Sequence, residues 1–232
     1  MHIYIVCGYG TSKDIKIDQN YLVYLSAVFN ALSESSAGKP ATIIPSGGPT
    51  SVEPPYEGTE AEAMSDYLQK LANTSAPAGQ TSDWTFYPED RALSSLENLL
   101  FAKQIIEQES LEGPVTVFCE KTREYRLTET AKKIFTDREV HVVAIDFDSS
   151  KSRHLDPDII ARKEAEALTE ALWTLENPER LLKHHQIFEK KFEFLRGRQQ
   201  QGVSHVDAVA EWIRTSPEIL RELMPDHPVF FR

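Results

Sequence analysis

A chain of 232 residues, 41% hydrophobic and 26% charged, can build one generous α/β core, or a core with a small appendage, and is cramped for two full domains. Its formal charge of −11 lies in the first 150 residues, which carry 12 basic against 22 acidic side chains, while residues 151–232 balance at 13 against 14. That acidity argues against non-specific binding to nucleic acid or to an anionic membrane. The opening Met1-His2-Ile3-Tyr4-Ile5-Val6 lacks the basic flank and the length of a signal or membrane span, so a cytoplasmic protein is expected.

The run at residues 2–7 is β-type and ends in Cys7-Gly8-Tyr9-Gly10. Tyr21, Leu22, Leu25, Val28, Phe29 and Leu32 then recur at helical spacing, which reads as strand, glycine turn, helix. A second unit begins at Ala41–Ile44, turns at Ser46-Gly47-Gly48, passes the loop holding Pro54-Pro55 and enters a helix over about 59–71. Thr59 suits the N-cap of that helix, with Glu62 completing a capping box. The small polar stretch 73–82 is a loop before the aromatic run Trp84–Tyr87. The helix that follows, over about 94–109, places Leu96, Leu99, Leu100, Ile105 and Ile106 on one face and is broken by Gly113-Pro114.

Val115–Cys119 reads as a strand covered on both faces, and a helix over 122–135 with a strand Val140–Phe147 completes the alternation. The fold class is therefore α/β: a doubly wound, mainly parallel five-stranded Rossmann-like sheet over residues 1–150, with ligands expected at the carboxyl ends of the strands. Beyond Leu155-Asp156-Pro157 only helices are expected, over about 158–175, 178–197 and 204–223. They form a C-terminal extension, 151–232, packed on the sheet or on a partner subunit. Pro178 opens the second of them, Gly197 and Gly202 bracket a glutamine-rich turn, and Pro217 is expected to interrupt the third.

Residues with chemistry gather at the strand ends. Gly8, Gly10, Gly47 and Gly48, with Ser46 beside them, let the backbone approach a ligand and offer N–H groups to it. Between Glu89 and Asn98 lie acids, hydroxyls and an amide; Ser94 or Ser95 can cap the following helix, or Glu89, Ser95 and Asn98 can orient a ligand. Glu60 opens the second helix, where it is either a solvated acid or faces a pocket. Arg123 and Arg126, at i and i+3, suit a carboxylate or phosphate, or salt bridges to nearby acids.

Cys7 and Cys119 read as small buried side chains, with a redox or nucleophilic role open because parallel strands would bring both to one edge. His184 and His185 are helix neighbours facing roughly 100° apart, without the i, i+4 geometry of a metal site. Lys13 stands where G-x-G-x-x-G needs its last glycine, and there is no Walker motif, G-x-S-x-G or zinc spacing, so neither a standard NAD site nor a metal is expected.

In their order and spacing the Ser46-Gly47-Gly48 turn, the Thr59-Glu60-Ala61-Glu62-Ala63-Met64 helix start, the Glu89–Asn98 segment and Arg123-Glu124-Tyr125-Arg126 resemble the YdcF/SanA/ElyC-like bacterial proteins. That family is of unknown function and is associated with vancomycin tolerance and envelope maintenance; the resemblance covers residues 2–147. Glu89, Glu97, Asn98 and Arg126 match its motifs and Ser95 keeps a hydroxyl, whereas Ala92 and Ser94 depart and Arg123 stands where histidine is usual. An arginine cannot exchange protons near neutral pH, which weakens an acid–base role at that position.

The resemblance implies a nucleotide-like or phosphorylated ligand, S-adenosylmethionine for at least some members. Gly8, Gly10, Ser46, Gly47 and Gly48 would supply backbone contacts, Glu60, Glu89, Ser95 and Asn98 would orient the ligand, and Arg123 and Arg126 would balance its charge. Two alternatives stay open: a hydrolase or transferase acting on a phosphorylated substrate with Glu89 or Glu60 as general base, and an interaction protein that forms a homodimer through its helical extension.

Overall fold

A computed structural model describes residues 1–8, 18–36, 38–51, 58–75, 81, 83–147 and 157–231. Strands and helices alternate as expected: β1 (His2–Cys7), α1 (Gln19–Ser36), β2 (Ala41–Ser46), α2 (Glu60–Thr74), β3 (Trp84–Phe86), α3 (Ser95–Gln108), β4 (Val115–Glu120), α4 (Glu124–Ile134) and β5 (Val140–Ile145). The five strands form one sheet of order β3-β2-β1-β4-β5, and every pairing is parallel. Central strands β1, β2 and β4 are buried along almost their whole length, whereas β3 and β5 lie at the edges and are more exposed. The continuous apolar runs of the central strands follow from cover on both faces.

The strand alternation sends side chains to two cores. Ile3, Ile5, Val115 and Val117 pack with α3 and α4 on one face, and Tyr4, Val6 and Ile43 pack with α1 and α2 on the other. Burying each such Val or Ile contributes about 1.5–3 kcal/mol. The winding reverses between β1 and β4, because the crossovers on one side of that boundary use one face and those on the other side use the opposite face. That boundary is the topological switch point, where parallel α/β sheets leave a crevice outside the strand ends.

Three further helices follow: α5 (Pro157–Leu175), α6 (Pro178–Gln200) and α7 (His205–Leu223). They pack on the same chain. Ala171 of α5 is buried in the core that holds α3 and α4, and Leu93, from the loop before α3, is buried among Ile187, Phe192, Leu195 and Trp212 of the extension. Arg126 of α4 donates to Glu164 of α5 at 2.6 Å, and Arg196 of α6 donates to the backbone carbonyls of Pro49 and Ser51.

Two expectations about these helices are corrected. Helix α6 runs through Gly197 to Gln200, so that glycine lies inside the helix and the turn begins at Gln201. Helix α7 continues through Pro217. Proline removes one N–H there, but Pro217 is exposed, and water can serve the carbonyl left without a donor.

Candidate functional site

A cavity of about 350 Å³ lies at the switch point, between the carboxyl ends of β1 and β4 and the three C-terminal helices. Its floor comes from the sheet domain: Gly8, Glu60, Asn98, Arg123 and Arg126, with Ser94 and Ser95 at the start of α3. Its roof comes from α5 through Glu164 and Glu170, from α6 through His184, Phe188 and Lys191, and from α7 through His205 and Val209. Helical spacing explains the roof, since His184, Phe188 and Lys191 stand at i, i+4 and i+7 and share one face of α6.

Of the residues expected at a site, Gly8, Glu60, Ser95, Asn98, Arg123 and Arg126 line this cavity. Gly10 lies outside the described residues. Ser46, Gly47, Gly48 and Glu89 sit beside the cavity and build its frame. The expected ligand-facing N–H groups of the glycines are engaged within the protein: Gly8 donates to Ser46 O at 2.9 Å, Gly47 to Glu89 O at 3.0 Å and Gly48 to Ala92 O at 2.6 Å.

Close approach is the reason for glycine here. A Cβ at Gly47 would stand 2.8 Å from Glu60 Cβ, one at Gly48 2.7 Å from Ala92 O, and one at Gly8 2.7 Å from Glu60 Oε2. The turn therefore seats α2 and the loop before α3 against the end of β2.

Glu89 is 1% exposed and its carboxylate is surrounded by donors: Ser46 Oγ at 2.8 Å, Arg91 N at 2.9 Å and Ala92 N at 3.3 Å. Burial pushes its pKa up, and those hydrogen bonds offset the shift only in part. The side chain clips β2 to the loop entering α3. Glu60, by contrast, reaches the cavity and accepts from Tyr21 Oη at 3.0 Å. Its N-terminal neighbour Thr59 caps α2, with the reciprocal Glu62 contact of a capping box.

The two arginines bind the cavity's halves together. Arg123 donates to Gly8 O at 2.8 Å across the β1–β4 boundary, with its Nε 4.0 Å from the buried Glu120. Arg126 is the cation of the Glu164 pair. Cys7, the last residue of β1, and Cys119, the last but one of the adjacent β4, are buried free thiols. Burial pushes the Cys7 pKa up to about 12 and that of Cys119 higher still, so both are neutral near pH 7 and neither suits nucleophilic or redox use.

The extension brings a cluster that sequence reading set aside. His184 is 4% exposed, with Nδ1 3.1 Å from Glu170 Oε1 and Nε2 3.0 Å from Ser94 Oγ. Burial pushes the Glu170 carboxyl up, but the hydrogen bond with His184 and the nearby charges of His184 and His227 outweigh that and hold it below the usual carboxylate range. Lys191 is half-buried over the rings of Phe188 and Phe192 and has no carboxylate within 4.0 Å among the described residues. Its pKa is lowered by burial, and by the positive charges of Lys163 and Arg123, with Glu170 opposing.

The signal for these residues was a histidine and a lysine within the apolar stripe Leu181, Phe188, Phe192, Leu195 of α6. Polar groups at such positions need a partner inside. Comparison with family models, with curated proteins and with solved structures returned no match to this chain.

Proposed function

We propose that the chain binds a small phosphorylated, nucleotide-like ligand in the switch-point cavity. The observation that carries this reading is the Lys191 ammonium, which has no carboxylate within 4.0 Å among the described residues, in a cavity that also holds Arg123 and Arg126. A cation half-withdrawn from water without a carboxylate beside it is costly, and an anionic group is what would offset the cost. About 350 Å³ falls within the range of small-ligand pockets. Glu60 and Asn98 on the floor supply an acceptor and an amide for hydroxyl or amino groups of the same ligand.

Resemblance to YdcF-like proteins supports the same location and adds S-adenosylmethionine to the ligands worth testing. Thermal melts of the full chain with a panel of nucleotides, sugar phosphates and adenosylmethionine, at about a millimolar, test the reading. A ligand present at 100 times its Kd stabilises by about 2.7 kcal/mol, a readily measured rise in Tm. K191M should abolish the rise for the ligand that produces it, and absence of a rise with every member of the panel would count against the proposal.

A further inference from the structure

We propose that Ser94, His184 and Glu170 form a nucleophile, base and orienting acid on the wall of this cavity, and that they hydrolyse a carboxylic ester of a small anionic compound. The reading rests on the ligand proposal above only for where the anionic part of the substrate sits. The geometry is that of an activated serine. Glu170 Oε1 lies 3.1 Å from His184 Nδ1, so an ionised Glu170 accepts the Nδ1 proton and leaves the Nε2 lone pair directed at Ser94 Oγ, 3.0 Å away. These three side chains come from α5, α6 and the N-cap of α3, and all line the cavity.

Helix capping alone does not use up Ser94. Its Oγ accepts the Glu97 N–H at 3.2 Å with one lone pair, which leaves its proton for His184 and a second lone pair for attack. Among the described residues the first-turn N–H groups of Ser95 and Leu96 find no acceptor; both residues line the cavity and follow Ser94 at the positive end of α3. They are donors for an oxyanion forming on the carbonyl that Ser94 attacks. Lys191 lies seven residues beyond His184 on the same helix, roughly 10 Å along its axis at 1.5 Å per residue, which sets the span from reacting carbonyl to anionic group.

The reaction proceeds in two balanced steps. Ser94 Oγ bonds to the carbonyl carbon as its proton passes to His184 Nε2; the tetrahedral adduct collapses, the C–O bond to the alcohol breaks, and His184 returns the proton to the departing alkoxide. Water then attacks the acyl-serine, giving its proton to His184, and collapse releases the acid and restores Ser94 with that proton. The imidazole faces Glu170 of α5, Glu97 of α3 at 4.0 Å from Nε2 and His227 beyond Glu170, with Lys191 further along its own helix and His185 paired with Glu97 at 3.2 Å.

The test uses the full-length protein with diisopropyl fluorophosphate, p-nitrophenyl octanoate and mono-p-nitrophenyl suberate, an eight-carbon half-ester whose far carboxylate matches the span from His184 to Lys191. Wild type should gain one diisopropylphosphoryl group, mapped to the peptide holding Ser94, at a rate that rises with pH as the general base loses its proton. S94A should gain none while keeping its circular dichroism, and H184Q and E170Q should slow the labelling by about 10²-fold or more. No adduct, an adduct elsewhere, or equal labelling in a folded H184Q or E170Q would overturn the relay. Should neither variant fold, the wild-type labelling profile decides, and a rate independent of pH between about 5 and 8 overturns it. Suberate turned over about tenfold faster than the uncharged octanoate supports the anionic subsite; labelling at Ser94 with no such preference overturns that subsite and leaves the relay standing.

Discussion

At the level of single residues, the two glutamates with the strongest sequence case have different surroundings. Glu89 is spent on Ser46, Arg91 and Ala92, and E89Q would turn one acceptor into a donor facing donors. An expected loss of about 1–3 kcal/mol follows, read from the urea midpoint. Lys191 carries the opposite expectation, because its folded-state pKa lies below the unfolded one. The unfolded chain then binds more protons between the two values, so this lysine destabilises the fold at neutral pH and the penalty is relieved as pH rises. K191M should therefore raise the ligand-free Tm at pH 7, and a lowered Tm would refute the account.

Glu170 works in the other sense: its folded pKa is depressed, so its contribution is present above the ordinary carboxylate value and fades as pH falls below it. Urea midpoints taken from pH 7 down to pH 3 should fall less steeply in E170Q than in wild type.

Among the elements, caps and close contacts were the most legible features. The Thr59 capping box of α2 is present as its sequence implies, and T59A should cost about 0.5–2 kcal/mol, measurable by chemical denaturation. The glycine turn was legible as a place of close approach, yet its partner was not: the approach is to α2 and to the loop before α3, through residues distant in sequence. G47A and G48A should both destabilise, because the added Cβ would meet Glu60 Cβ in one and the Ala92 carbonyl in the other, and neither atom can swing away. The boundary misread at Gly197 and the interruption expected at Pro217 show the limit of local punctuation: packing of α6 and α7 against each other outweighs a weak helix former and one missing donor.

For the whole molecule, sheet and extension share buried surface. Residues 1–150 alone would expose the apolar face that Ala171 covers and leave Leu93 without its helical neighbours. That fragment is expected to aggregate or to bind a hydrophobic dye, whereas the full chain should do neither; light scattering and dye fluorescence measure both. The extension also supplies the roof of the cavity, so fragment and full chain should differ in every ligand response. Among the described residues no helix is long and apolar enough to cross a membrane.

The α/β alternation, the parallel sheet and the helical extension were determined by the sequence itself, because strand and helix periods, caps and turn residues act over a few positions. The candidate floor residues Gly8, Glu60, Ser95, Asn98, Arg123 and Arg126 were legible for the same reason, each standing at a strand end or a helix start. Only the tertiary structure decided that Glu89 is a clip, that the glycine N–H groups are spent internally, and that His184 meets Ser94 across 90 positions of sequence. Those outcomes depend on which face α5 and α6 bury against the sheet domain. That choice rests on summed burial over many side chains, which no local pattern encodes.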